Sequence, residues 1–378
     1  MSTVRTDTLP AFQADLLHSR DDLLVWQAIH PSVADSNMGG RVFCTNGPAL
    51  TSTTVIATLS GPSSLWALTK STGEPLWSRA FSNIAGIATD LDAAYVVTGR
   101  RIVCVDPLSG RTRWETPPWI RQRAVSVEDS VARTPTPSGN LIFWPAGGGV
   151  VACASAASGE ELWRSQRRGG VASSLLVVRG MVIGTELPAA IFALDVKDGR
   201  ELWARRLPNP SLREPKAAFE SVLVRLKDGL LLLNATTGAV TATCSWPNEI
   251  LGDVAAGSEV VFAVRCGKED SIFQGRHAVI PRGSKILRLN SQGESLWEVE
   301  SSLRGPRLVW DEGTRCLVEM CGGLAVWDIN RGRRSHFVPL SDFEGHLTPA
   351  LDLDRIYLTS TQGSVVALRS PAVAAGKR

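Results

Sequence analysis

The sequence predicts an all-β fold: an eight-bladed β-propeller closed by an N-terminal strand in the last blade. The first observation is a recurring phrase: an apolar strand, a tight turn ending in glycine, and a strand closed by tryptophan. It reads "LTKSTGEPLW" (68–77), "VDPLSGRTRW" (105–114), "ASAASGEELW" (154–163), "ALDVKDGRELW" (193–203) and "LNSQGESLW" (289–297). The second is its spacing. Gly73, Gly110, Gly159, Gly199, Gly238, Gly293 and Gly332 stand 37, 49, 40, 39, 55 and 39 residues apart, the range in which a unit of about 40 to 45 residues makes one four-stranded blade. The third is the chain between the turns. Runs such as "SLLVVRGMVIGTE" and "SVLVRLKDGLLLLN" are strand-turn-strand patterns without a 3.6-residue period.

Each element has a reason. Glycine supplies the positive φ of a tight hairpin. Asp106, Ser155, Asp195, Asn234 and Asp328, four residues before their glycines, suit a side chain that hydrogen-bonds the turn backbone. Tryptophan follows four residues after the glycine at 77, 114, 163, 203 and 297, with Ala242 and His336 in the two remaining copies. Its ring gives the outermost strand a broad surface to pack on the next blade. An eighth copy begins at "SVVALRS" (364–370) and lacks its final strand, whereas "DDLLVWQAIHP" (21–31) resembles such a strand, with Trp26 in the tryptophan position. Joining the two removes sheet edges that would invite aggregation. The expected organisation is one domain over 21–370, flanked by tails at 1–20 and 371–378.

Composition narrows the class. The chain has 378 residues, 44% apolar and 20% charged, the profile of a folded protein. With 40 basic and 37 acidic residues its net charge is +3, which gives no general pull toward nucleic acid or an anionic membrane. No run approaches the roughly 18 to 20 apolar residues of a membrane helix. The first residues carry no apolar segment behind a basic head. The seven cysteines are odd in number, scattered and without a C-x-x-C pair, so they read as reduced core residues of a cytoplasmic protein.

The repeat closely resembles the pyrroloquinoline-quinone-enzyme repeat, matched by "FALDVKDGRELW" and less fully by "WALTKSTGEPLW". The resemblance covers residues of about 21 to 370 and implies the propeller fold; function does not follow from fold. Such propellers include quinone-dependent alcohol dehydrogenases, an outer-membrane assembly lipoprotein, and cytoplasmic binding proteins. The dehydrogenases imply adjacent cysteines over the cofactor, a carboxylate base, and calcium or a lanthanide. Here no cysteines are adjacent. Cys316 and Cys321, split across "CLVEMC", read as core positions on neighbouring strands. A non-quinone member with neither cofactor nor metal is therefore expected.

Long insertions mark the functional face. "ETPPWIRQRAVSVED" (115–129), "ARRLPNPSLREPK" (204–216) and "RCGKEDSIFQGRHAVIPRGSK" (265–285) all leave the rim opposite the glycine turns, and loops carry recognition on a rigid frame. They offer Trp119, Arg121, Arg123, Arg205, Arg206, Arg213, Lys216, Arg276, His277 and Arg282, a basic mouth suited to an acidic protein or small ligand, because arginine donates in a planar fork and tryptophan stacks. Catalytic candidates are fewer. His346 and Glu344, with Asp342, precede the first strand of the last blade, and Glu249 and Asp253 lie at the matching place in the sixth. A histidine and carboxylates meeting at the channel mouth suit acid–base work. No nucleophile elbow, phosphate loop or zinc motif occurs. The first reading is a non-catalytic cytoplasmic scaffold that holds a protein partner or acidic ligand on its loop-rich face, with neither membrane nor nucleic acid as partner. The second is a propeller enzyme for a non-redox elimination, cyclisation or hydrolysis.

Overall fold

The computed structural model describes residues 16–17, 23–31, 43–44, 47–60, 63–98, 100–118, 134–171, 173–211, 213–247, 249–267, 284–301, 307–311, 316–320, 323–339, 349–352, 354–360 and 363–370. It is an all-β β-propeller. The described strands pair into eight sheets, numbered here in chain order. Sheet one lies within 43–80, two within 84–115, three within 136–166, four within 176–206, five within 216–245, six within 249–301 and seven within 307–339. Sheet eight joins Ala350–Asp352, Arg355–Thr359 and Ser364–Arg369 to Leu24–Ile29 from the other end of the chain.

Within each sheet four strands run antiparallel, the first facing the axis and the fourth lying outermost. The two middle strands of sheets one to four are apolar and almost wholly buried, whereas outer strands such as Glu161–Gln166 alternate exposed and covered residues. That is the pattern of a sheet packed on both faces inside and wetted at its rim. Sheets meet through apolar side chains. Eight hydrophobic clusters lie in the gaps between successive sheets; one holds Ile56, Leu65, Val96 and Val103 between sheets one and two. Another joins Trp26, Tyr357, Val365 and Ala367 of sheet eight to Val55, Trp66 and Leu68 of sheet one.

The repeated phrase works across these gaps. The seven turn glycines have φ between +61° and +79°, and the aspartates ahead of them accept backbone N–H bonds; Asp106 Oδ1 takes those of Leu108 and Ser109 at 3.1 and 2.8 Å. Glycine is needed for a second reason. The tryptophan of one sheet lies flat on the turn glycine of the next, so a Cβ at Gly110 would stand 2.7 Å from the Trp77 ring and one at Gly332 would stand 2.8 Å from Trp297. Each indole also donates into the turn that it covers, Trp77 to Pro107 O, Trp114 to Ala156 O and Trp163 to Val196 O, all at 2.9 Å.

Leu24–Ile29 has every mark of an outer strand. Its ladder with Ser364–Arg369 shifts register beside Trp26, as the ladder of sheet one shifts beside Trp77. Trp26 covers Gly73 and donates to Lys70 O at 3.1 Å.

The two repeat exceptions now have explanations. Sheet eight takes its fourth strand from the chain's beginning, so it has no third-to-fourth turn for a tryptophan of sheet seven to cover. His336 occupies that place, only 6% exposed, and Leu23 joins Leu324, Val326, Ile356 and Leu368 in the gap. In sheet five, Ala242 is accompanied by Cys244, whose thiol fills the space above Gly293 and donates to its carbonyl at 3.2 Å.

Residues 1–20, expected as a tail, contribute Leu16–Leu17, which pairs in parallel with the outer strand of sheet seven at His336 and Phe337. Cys316 opens the strand Cys316–Met320, and Cys321 lies outside the described residues.

Candidate functional site: the loop-rich face

Strand direction sorts the molecule into two ends. The glycine turns lie at one end. At the other lie the links between second and third strands and those from a fourth strand to the next sheet. Of the expected binding residues, Trp119, Arg121, Arg123, Arg276, His277 and Arg282 lie outside the described residues. Arg213 is exposed in the link between sheets four and five, and Lys216 opens the first strand of sheet five, half-buried. The two stand together at the loop-rich end. Arg205 does not belong with them: its guanidinium reaches across to Gly238 O at 3.3 Å, in the glycine turn of sheet five.

The described links add cations that sequence reading passed over. Arg100, Arg168 and Lys227 are exposed at the loop-rich end, and like Arg213 and Lys216 they form no ion pair among the described residues. Some acids there are engaged, whereas Glu214 and Asp228 stand beside Arg213 and Lys227 in the same links. Arg167, 7% exposed, is held between Glu186 at 2.9 Å and Glu201 at 2.5 Å and lies 4.4 Å over the Phe192 ring. Arg265 pairs with Glu249 at 2.8 Å and also with Glu298, which Lys285 meets at 3.0 Å. Burial alone would raise the Glu298 pKa, but Lys285 and Arg265 together hold it below the usual value. The opposite end is rich in acids: Asp90, Asp92, Asp195, Asp198, Asp352 and Asp354 lie in or beside its turns. Exposed cations lie in the same turns, among them Arg111, Lys197, Arg200 and Arg331, and Asp352 is paired with Lys70 at 2.6 Å, so both signs of charge meet there. No periodicity signals this, because it depends on which end of each strand a charge falls.

Of the catalytic candidates, the structure describes Glu249 and Asp253. His346, Glu344 and Asp342 lie outside the described residues. Glu249 is bound by Arg265, and Asp253 caps the neighbouring sheet, accepting from Leu308 N at 3.0 Å. A cavity of about 530 Å³ between sheets one, two and eight is lined, among the described residues, by uncharged side chains alone, including Ala49, Ala85, Ala88, Thr134 and Ala350. These residues give an acidic quinone or a divalent cation no counter-charge, so this wall does not fit that cofactor. Among the described residues no three metal-ligating side chains cluster. Cys104, Cys153 and Cys244 are free and buried in separate sheets. Burial pushes the Cys104 and Cys153 thiols up to about 11 and about 12, which favours the protonated thiol over the thiolate.

Fold and repeat together define the class, a propeller of pyrroloquinoline-quinone-enzyme-type repeats. The chain belongs to the family described as outer membrane protein assembly factor BamB, whose model matches residues 98–245 and 183–371. No curated protein matches. Among solved structures, BamB from Moraxella catarrhalis aligns with a TM-score of 0.62 at 15% identity, over 92% of this chain and 99% of that one. Quinohemoprotein alcohol dehydrogenase from Comamonas testosteroni aligns with a TM-score of 0.65 at 12% identity, over 92% and 76%. The WD40 domain of Neurospora crassa Pan2 aligns with a TM-score of 0.56 at 8% identity, over 92% and 95%. At such identities these likenesses establish the fold alone.

Proposed function

We propose that this protein is a non-catalytic binding scaffold: an eight-bladed ring closed by Leu24–Ile29 that holds an acidic protein partner on its loop-rich face. The observation that carries the reading is the set of cations at that end, Arg100, Arg168, Arg213 and Lys227 exposed and Lys216 half-buried, which form no ion pair among the described residues. Complementary charge steers encounter and sets orientation, and a rigid ring presents it without a folding cost. The eight sheets, the Trp26 contact and the cluster joining sheets eight and one support the closed ring. An assembly factor as family namesake supports a protein partner. We also place the protein in the cytoplasm, on the strength of its free, separated cysteines.

The test is capture of partners from the native cell at two salt concentrations. Wild type should retain a partner that the triple variant Arg168→Glu, Arg213→Glu, Lys216→Glu loses, and retention should weaken with salt. The control Asp195→Lys, Asp198→Lys should leave capture intact. Equal capture by the triple variant would refute the reading.

A further inference from the structure

Seven of the eight seams between sheets share one fastening, and the eighth is built differently. The turn glycines of sheets one to seven are each covered from the sheet before, by an indole in six cases and by the Cys244 thiol in the other. Sheet eight takes Leu24–Ile29 as its fourth strand, so the seam between sheets seven and eight has no such turn to cover. Its filling differs too. Leu324, Val326 and Val338 meet Ile356, Val366 and Leu368 there, and of the eight hydrophobic clusters this one alone holds no aromatic ring among the described residues. What spans this seam is a stretch of chain. Leu16–Leu17 lies in parallel on the outer strand of sheet seven, Leu23 is buried between the two sheets, and Leu24–Ile29 is the outer strand of sheet eight.

We propose that the seam between sheets seven and eight is where this protein opens first, and that Leu16–Leu17 together with Leu23–Ile29 forms the clasp that governs the opening. The inference rests on the closed ring proposed above. Proteins open locally where buried contacts are fewest, at a free energy below that of global unfolding. An indole lying flat on a turn adds both apolar area and a hydrogen bond to a seam, and this seam has no such ring among the described residues. Its aliphatic filling attracts without direction. The restraint comes from outside, where one stretch of chain is paired to the outer strand of sheet seven and is itself the outer strand of sheet eight, with Leu23 set into the gap. While both pairings hold, the two outer strands stay within the reach of a few residues of each other. The pairing of Leu16–Leu17 is much the shorter. Its loss frees sheet seven but leaves Trp26 on Gly73, so the opening is confined to one seam.

Labelling of the full chain with N-ethylmaleimide under native conditions, read site by site by mass spectrometry, tests this. Val365 and Val366 are neighbours on one strand and both are buried, but Val365 packs toward sheet one and Val366 toward sheet seven. Cysteine is close to valine in size, and a buried thiol reacts only when its seam opens. Val366→Cys should react about tenfold faster than Val365→Cys, and about tenfold faster than the native Cys153 in the seam between sheets three and four. Removing residues 1–17 should quicken Val366→Cys by about a further tenfold and leave the other two rates as they were. Should Val366→Cys not fold, Val326→Cys reads the same seam from the side of sheet seven. A seam reporter that reacts no faster than Cys153 while Val365→Cys is equally slow overturns the clasp alone, as does a truncation that changes no rate or all rates alike. Val365→Cys reacting fastest overturns the closed ring together with the clasp.

Discussion

The seam between sheets three and four and the seam between sheets five and six follow one plan with different fillings. In the first, Trp163 lies on Gly199 and its indole N–H reaches Val196 O at 2.9 Å. In the second, Ala242 and Cys244 stand in for the ring, and a thiol in place of an indole reaches Gly293 O. A tryptophan buries on the order of 150 to 250 Å², several times what alanine and a thiol cover. The first seam also has a second fastening, Arg167 between two carboxylates. The ring is thus unevenly held, and most firmly where the phrase is complete.

The seam between sheets eight and one is filled by Trp26 from the far end of the chain, and it carries the largest expected effect. Removing residues 1–30 leaves Ser364–Arg369 without its partner and Gly73 uncovered, so the truncated chain should aggregate or lose cooperative melting. Light scattering and calorimetry check this. Removing 1–15 should leave both Leu16–Leu17 and Trp26 in place and change the melting temperature little.

Within the complete seam, Trp163→Ala should cost about 3 to 5 kcal/mol, as large-to-small changes at buried aromatics do. Arg167→Ala should fall in a similar range of about 3 to 5 kcal/mol, because Glu186 would remain buried without its partner. At the weaker seam, Cys244→Ala removes one sulfur and one weak hydrogen bond and should cost only about 1 kcal/mol. Denaturant titration of the three variants ranks the seams; a Cys244→Ala loss equal to that of Trp163→Ala would mean that the plan, not its filling, carries the energy.

The smallest effect is with pH. His30 follows the closing strand, packed edge-on to Trp66 at 5.1 Å, and burial lowers its pKa below 6.5. The folded state therefore favours neutral imidazole. The stability that His30 contributes is present above pH 6.5 and is lost as pH falls through the lowered value. Melting temperature followed from pH 7.5 to 5 should fall less steeply in His30→Gln than in wild type.

How far the sequence reveals this molecule differs between frame and site. The glycine spacing, the tryptophans and the orphan phrase at Trp26 were enough to read a propeller, because a repeat states its local geometry many times over. What a single copy does not state is contact between copies. That Trp77 belongs to Gly110, or that His336 has no turn to cover, depends on sheets lying side by side. The site was harder still. Arg213 and Lys216 were legible as loop cations, but Arg205, of the same type in the same stretch, reaches the opposite end. Glu249 read as a candidate acid because its bond to Arg265 joins two strands that the sequence separates. Arg100, Arg168 and Lys227 sit in short links that no length signal marks.

The pairing of Leu24–Ile29 with Ser364–Arg369 has a consequence in time. The strand that completes the last sheet leaves the ribosome long before the neighbour it pairs with. At about 5 to 20 residues per second, the roughly 340 residues between them take on the order of 20 to 70 s to appear. For that interval the nascent chain carries an outer strand with nothing to lie against and a growing arc of sheets that ends in an open edge. Its vulnerability during synthesis is therefore set by translation speed, and a chaperone that shields residues 24–29 until residues 364–369 emerge would act where the finished molecule gives no hint of weakness.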